Sequence, residues 1–103
     1  MLIQYSGDNI KLLGYHECYD NGTTPGGSGT GDGIYAVNSN KSILQNYKCY
    51  NNARNGVSVT TFDGASLDAT LSEDFILENG EATGNGYVDI DIEGVTRPRV
   101  KNI

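Results

Sequence analysis

This 103-residue chain has no tryptophan, one histidine, one methionine, two prolines and two cysteines. No run of about 18 apolar residues exists, which excludes a membrane-spanning helix. Basic residues are scarce, seven Lys and Arg against thirteen Asp and Glu, giving a formal charge of −6. That balance excludes nucleic acid as a partner, because phosphate contacts need clustered Lys and Arg. The opening MLIQYSGDN has neither the basic region nor the apolar core of a signal peptide. If the protein is exported, its address is expected outside this stretch, or it travels with a particle.

What the chain has is glycine (14), tyrosine (7) and 37 % hydrophobic residues. Val, Ile, Leu and Tyr recur at intervals throughout, so the composition is that of one folded domain and not of a disordered segment. No segment carries a helical period. Apolar residues alternate over short distances (Val57/Val59, Val88/Ile90/Ile92), as strands require. Asn-Gly, Asp-Gly and Asn-Asn steps separate them, read as corners that need a positive φ.

The stretch Lys41 to Thr60 is the repeating unit. It holds an apolar-rich strand (Ile43 to Tyr50), an Asn51-Asn52 corner, an Asn55-Gly56 step and a second strand (Val57 to Thr60). With Cys18 placed on Cys49, 31 residues on, Leu12 falls on Ile43, Leu13 on Leu44, Tyr19 on Tyr50 and Asn21 on Asn52. A shorter third copy puts Ile76, Leu77 and Asn79 on Cys49, Tyr50 and Asn52. Gly33-Ile34-Tyr35-Ala36, Gly56-Val57-Ser58-Val59 and Gly86 to Ile90 match as second halves. The last fits with a one-residue slip, as a bulge would give, so that Val88 and Ile90 face inward. Such periods predict a solenoid; the alternative is an antiparallel sandwich with hairpins at the Asn-Gly steps. The two cysteines hold the same place in the repeat and point in parallel. That geometry disfavours a disulfide and predicts two buried thiols. Inserts are expected at 22–31 (Gly/Ser/Thr-rich) and at 61–66 (TFDGAS).

Candidate functional residues follow from strand alternation. Asp89, Asp91 and Glu93 are expected along one outer edge, about 7 Å apart, where they can bind a hard cation or act as an acid/base pair. The bland reading is a charged face that keeps a sheet soluble. Arg54, in a corner beside Asn55, can neutralise a substrate carboxylate. Tyr35 and Tyr87 are expected outside, offering rings to the apolar faces of sugars. Asp63, in the second insert, joins them as a ligand-binding candidate. His16 reads as a structural histidine. The corner asparagines Asn21, Asn51 and Asn52 read as a stack of amides satisfying one another along the coil.

This pattern of apolar strand, Asn-Asn or Asn-Gly corner, Asn-Gly-Ile/Val and strand resembles right-handed parallel β-helix proteins. These are the pectate-lyase-like superfamily, with alginate C5-epimerases and phage tailspikes, and the likeness runs from Asn9 to about Gly94. Asp89 to Glu93 is similar to an Ile-Asp-Ile-Glu stretch of tailspike and secreted polysaccharide-acting members. The resemblance implies an all-β fold: a short right-handed parallel β-helix of a few coils with loop inserts. Residues 1–103 would form a single module, part of a longer coil. It further implies recognition or degradation of an acidic or bacterial surface polysaccharide, as in a phage tailspike or secreted lyase. An enzyme of this kind would be a polysaccharide lyase or glycoside hydrolase, with Asp89, Asp91, Glu93 and Arg54 catalytic and Ca²⁺ a possible cofactor. The expected setting is extracellular or on a virion surface, as a homotrimer or stacked on flanking coils. The Asp-Pro-His-type motif of the epimerases is absent. The competing class is a purely structural β-solenoid of a fibre, adhesin or appendage.

Overall fold

The computed structural model describes residues 3–22, 31–61 and 73–102. Among them are eleven strands and no helix. The strands are β1 (Ile3–Ser6), β2 (Lys11–Leu12), β3 (His16–Tyr19), β4 (Ile34–Val37), β5 (Ile43–Gln45) and β6 (Tyr47–Tyr50). They continue with β7 (Val57–Thr60), β8 (Ile76–Glu78), β9 (Glu81–Thr83), β10 (Ile90–Glu93) and β11 (Arg99–Lys101). Three sheets form: sheet A in the order β1-β4-β7-β10, sheet B in the order β2-β5-β8-β11 and sheet C in the order β3-β6-β9. The chain visits A, B and C in turn and then returns to A one strand further on. Every strand pairing is parallel, which rules out the antiparallel sandwich. The arrangement is compatible with a short parallel β-solenoid.

Alternation sets the inside. Ile34, Ala36, Val57 and Val59 from sheet A, Leu44 and Leu77 from sheet B, and Cys18, Tyr47 and Cys49 from sheet C are all buried. Phe75 joins them from the residue before β8, and Ile3, Leu12, Ala82, Ile90 and Ile92 pack against the cluster. Cys18 and Cys49 are register partners, buried and unbridged. A hydrogen bond between the two thiols, together with burial, holds the Cys49 thiol far above its usual range and lowers that of Cys18; both sulfurs are fully buried and pack as small core atoms.

Four columns of left-handed residues turn the corners. Asp20, Asn51 and Gly84 follow sheet C; Asn46, Asn79 and Asn102 follow sheet B. Gly7, Asn38 and Gly94 follow sheet A, and Asn9, Lys41, Asp74 and Arg97 stand two residues before sheet B. Most are Asn, Asp or Gly, the residues for which positive φ is least costly. Gly33 and Gly56 are not among them, although the Asp-Gly and Asn-Gly steps had suggested it. They are glycines because the next coil comes too close. A Cβ on Gly33 would lie 2.8 Å from Asn52 Nδ2, and one on Gly56 would lie 2.6 Å from Asn85 Nδ2.

Those two amides belong to a ladder along the corner from sheet C to sheet A. Asn52 Oδ1 accepts from Asn21 Nδ2 (2.8 Å) and Asn21 N (3.3 Å). Asn52 Nδ2 donates to Asn85 Oδ1 (2.9 Å) and to the Cys18 carbonyl (3.1 Å). Asn85 Nδ2 donates in turn to the Cys49 carbonyl at 3.2 Å. The expected asparagine stack is therefore present for Asn21 and Asn52, with Asn85 as its third member and not Asn51, which stands exposed at the corner.

That change corrects the repeat. Ile76 and Leu77 pair with Ile43 and Leu44, not with Cys49 and Tyr50. Ala82 and Thr83 take those places, and Asn85 replaces Asn79 as the third rung. Both Asn52 to Val57 and Asn85 to Ile90 are steps of five residues, and Val57 pairs with Ile90. No slip or bulge is needed, and Val88 stands in the corner, 37 % exposed and not inward. In the first copy Leu12 pairs with Leu44 and Lys11 with Ile43, one residue off the 31-residue alignment. Leu13-Gly14-Tyr15 take up the difference, and Leu13 is exposed. The ends of the first insert, Asn21 and Gly31, accept from consecutive amides, Ala53 N and Arg54 N, each at 2.9 Å.

Replacing the buried Asn52 by alanine orphans groups on three coils, so Asn52→Ala is expected to cost about 3 kcal/mol. Asn51→Gly, at an exposed left-handed position, should stay within about 0.5 kcal/mol of the parent. Urea unfolding of the two variants measures both; equal losses would contradict the ladder's role.

Candidate functional site

The corner from sheet C into sheet A fixes Arg54 by its backbone. Its amide donates to the Gly31 carbonyl on one coil, and its carbonyl accepts from Tyr87 N, 2.8 Å away, on the other. The Arg54 side chain then has one direction to go. Nη1 lies 3.2 Å from Asp32 Oδ2, and the arginine side chain is 23 % exposed while Asp32 is fully buried. Asp32 Oδ1 also accepts from Asn55 N at 3.0 Å. Burial pushes the Asp32 carboxyl above its usual range, against the pull of the Asn55 amide and the Arg54 charge. Arg54 Nε is buried with no partner among the described residues.

Sheet A carries the other members outward. With Ile90 and Ile92 packed on the core, Asp91 and Glu93 take the opposite face of β10. Asp91 lies in register with Ser58, and Ser58 with Tyr35, so the three side chains form a row across three strands. Neighbours in such a row are about 4.8 Å apart. Tyr35 is half-buried between the inward Ile34 and Ala36, facing out as its alternation requires. Burial, the Glu93 charge and a hydrogen bond to the Glu93 carboxyl hold the Asp91 carboxyl above the usual range. Arg54 pulls it back and Asp32 adds to the rise.

Asp91 and Tyr35 thus share one row across sheet A with Glu93 on the same face, while Arg54 is held at the neighbouring corner on Asp32. Tyr87 sits in the same corner as Arg54, one coil on, with its side chain well exposed. Asp89 goes elsewhere. It precedes β10, and its Oδ1 accepts from Asn85 N (3.1 Å) and Asn85 Nδ2 (2.9 Å), closing the end of the asparagine ladder. The three acids therefore do not form a continuous outer edge. Asp63 lies outside the described residues. His16 shares the inward side with Cys18 and pairs in register with Tyr47. Its Nε2 is buried without a partner among the described residues.

Two members escaped the sequence reading. Asp32 fell in one of the Asp-Gly steps read as corners, and Ser58 was given no role; both are buried. A buried carboxylate needs a cation, and Arg54, the lone Arg of the repeat corner, was the available signal. Ca²⁺ wants six to eight oxygens. Among the described residues no three of His, Cys, Asp and Glu converge to hold a metal. Asp91 and Glu93 offer two carboxylates with a guanidinium nearby, so this donor set does not fit the ion. The arrangement can do two other things. An acid held above its usual range beside a second carboxyl offers a proton donor and acceptor pair. A tyrosine ring beside carboxylates offers apolar and hydrogen-bonding contact to a polyol.

No family model, curated protein or solved structure matches this chain.

The raised Asp91 has a stability consequence of definite sign. Its folded state holds the proton more tightly than the unfolded chain, whose carboxyl titrates near about 3.9. Its contribution is full below that pH and is lost as pH rises through the folded value. Asp74, held down by Arg97, works in the opposite sense. Asp91→Asn is therefore expected to raise the thermal midpoint at pH 7, with the gain vanishing near pH 3. A gain that persists unchanged at pH 3 would contradict this assignment.

Proposed function

We propose that this chain is a polysaccharide-recognising module built as a short right-handed parallel β-helix, of the kind found in phage tailspikes and secreted polysaccharide-acting enzymes. The observation that carries the reading is the row of Tyr35, Ser58 and Asp91 across sheet A, with Glu93 on the same face of β10 and the Arg54 charge near enough to act on Asp91. A scaffold needs no such arrangement. The residues come from one corner and two strands that are distant in sequence. In this reading Tyr35 and Tyr87 contact sugar rings while Arg54, Asp91 and Glu93 bind hydroxyls. Asp91 and Glu93 are also the pair that would donate and accept a proton if the bound chain is cleaved, by hydrolysis or by lyase chemistry. With two outward carboxylates, Asp91 and Glu93, against one guanidinium already paired with the buried Asp32, the face favours a bacterial surface polysaccharide of low charge over a strongly acidic one. Its place would be extracellular or on a virion surface. The end strands β1 and β10 of sheet A have one neighbour each among the described strands. This supports assembly as a trimer or stacking on flanking coils.

The second reading, a structural solenoid of a fibre or adhesin, draws on the Asp32–Arg54 pair. Asp32 binds the Asn55 amide as well as Arg54, as a residue that only pins a corner would.

Incubation with neutral and acidic bacterial polysaccharides, followed by mass spectrometry and a binding assay, separates the readings. Retention on a neutral or weakly charged glycan is expected, weakened at least tenfold in Asp91→Asn and Tyr35→Ala. Products shortened with gain of water would mark a hydrolase, and products with an unsaturated end a lyase. No retention on any glycan, with no products, would overturn recognition and leave the scaffold.

A further inference from the structure

The corner from sheet B to sheet C is the one that sheet A does not touch, and it holds a cavity of about 290 Å³. All four turns of the chain contribute to it: Tyr15, then Tyr47 and Lys48, then Asn79 to Glu81, then Asn102. Its wall is rigid for a specific reason. Tyr47, 2 % exposed, lies against Gly80 so closely that a Cβ there would stand 2.0 Å from the tyrosine ring. Gly80 thus gives up its side chain to the Tyr47 ring.

The polar groups at the mouth are mixed in kind. Asn102 Nδ2 donates to Asn79 Oδ1 at 3.0 Å, which leaves an NH₂ on Asn79 and a carbonyl on Asn102. Lys48 and Glu81 are register partners on the outer face of sheet C and supply a cation and a carboxylate. Tyr15, 66 % exposed, offers its ring, and its hydroxyl donates to Glu17 Oε1 at 2.7 Å. Beside the cavity the same face carries Tyr19 stacked on Tyr50, with centroids 5.0 Å apart. The Lys48 ammonium stands 5.3 Å from the Tyr50 ring.

We propose that this cavity is a second binding site, for a single neutral pyranose residue. A sugar hydroxyl both donates and accepts, so it is matched by interleaved donors (Lys48, Asn79) and acceptors (Glu81, Asn102). Its C–H face suits the exposed Tyr15 ring. The volume is at the small end of ligand sites, about 300–1,000 Å³, and admits one ring and not a chain. Charge selects within the class. One lysine is set against Glu81 in the cavity and Glu17 beside it, so a uronate would meet net negative charge. The site stands independently of the sheet A reading, since it shares no residue with it.

The test is a ¹H–¹⁵N NMR titration of the full chain with the methyl pyranosides of glucose, galactose and mannose, and with methyl glucuronide. Saturable shifts at the amides of Lys48, Asn79 to Glu81 and Asn102 are expected with at least one neutral glycoside. Glu81→Gln and Tyr15→Ala, both at exposed positions, should weaken it at least tenfold while keeping the folded spectrum. Asp91→Asn should leave it unchanged even where that variant abolishes glycan retention. Absence of saturable shifts with every neutral glycoside overturns the proposal. So does tighter binding of the glucuronide, or a loss with Asp91→Asn equal to that with Glu81→Gln.

Discussion

The structure depends on the amide ladder of Asn21, Asn52 and Asn85. Each rung bonds to the next, and the second and third rungs also satisfy the carbonyls of Cys18 and Cys49 on the preceding coil. A parallel stack has little else to forbid a strand from sliding, because its backbone ladder looks the same at every second residue. An amide that must meet another amide, with a glycine beneath it at 33 or 56, permits one register only. The chain turns corners with left-handed residues in columns, and those columns line up because the ladder holds the coils in step.

The outer chemistry is a consequence of that register. Arg54 follows the Asn52 rung by two residues, so its backbone is clamped between Gly31 and Tyr87. A clamped backbone delivers the guanidinium to Asp32, where a mobile loop would leave it in solvent. Five residues after Asn52 and after Asn85 a sheet A strand begins, which puts Ser58 and Asp91 in one row. The asparagine ladder is structural; what it positions is the charged face.

Much of this was legible in the amino-acid order. The matched positions of Cys18 and Cys49, and of Tyr19 and Tyr50, are true register partners. The outward setting of Tyr35 and the asparagine stack were readable for the same reason: period-two alternation and corner chemistry are local signals. The third copy was misread because Ile76-Leu77 looks like any apolar strand pair. Nothing local says that it belongs to sheet B, and the long step from Thr61 to Glu73 hides the count. The true signal was the equal spacing of Asn85 to Ile90 and Asn52 to Val57. The role of Gly33 and Gly56 was hidden for another reason. Their constraint is a contact with the next coil, and the dipeptide Asn-Gly or Asp-Gly reads as a turn wherever it occurs. Asp89 shows the same limit, since it alternates correctly with Asp91 yet is captured by Asn85, four residues before it in the corner.

Backbone amide exchange in the native protein tests the ladder directly. If it holds the coils in step, Asn52, Asn55, Gly56 and Val57 should exchange as slowly as the amides of β4 and β7, although the first three lie in a corner. An Asn52→Ala variant should then speed exchange at Gly33 and at Gly86, on the coils either side. Corner amides that exchange at loop rates while the strands stay protected would contradict the account, leaving the core alone to set the register.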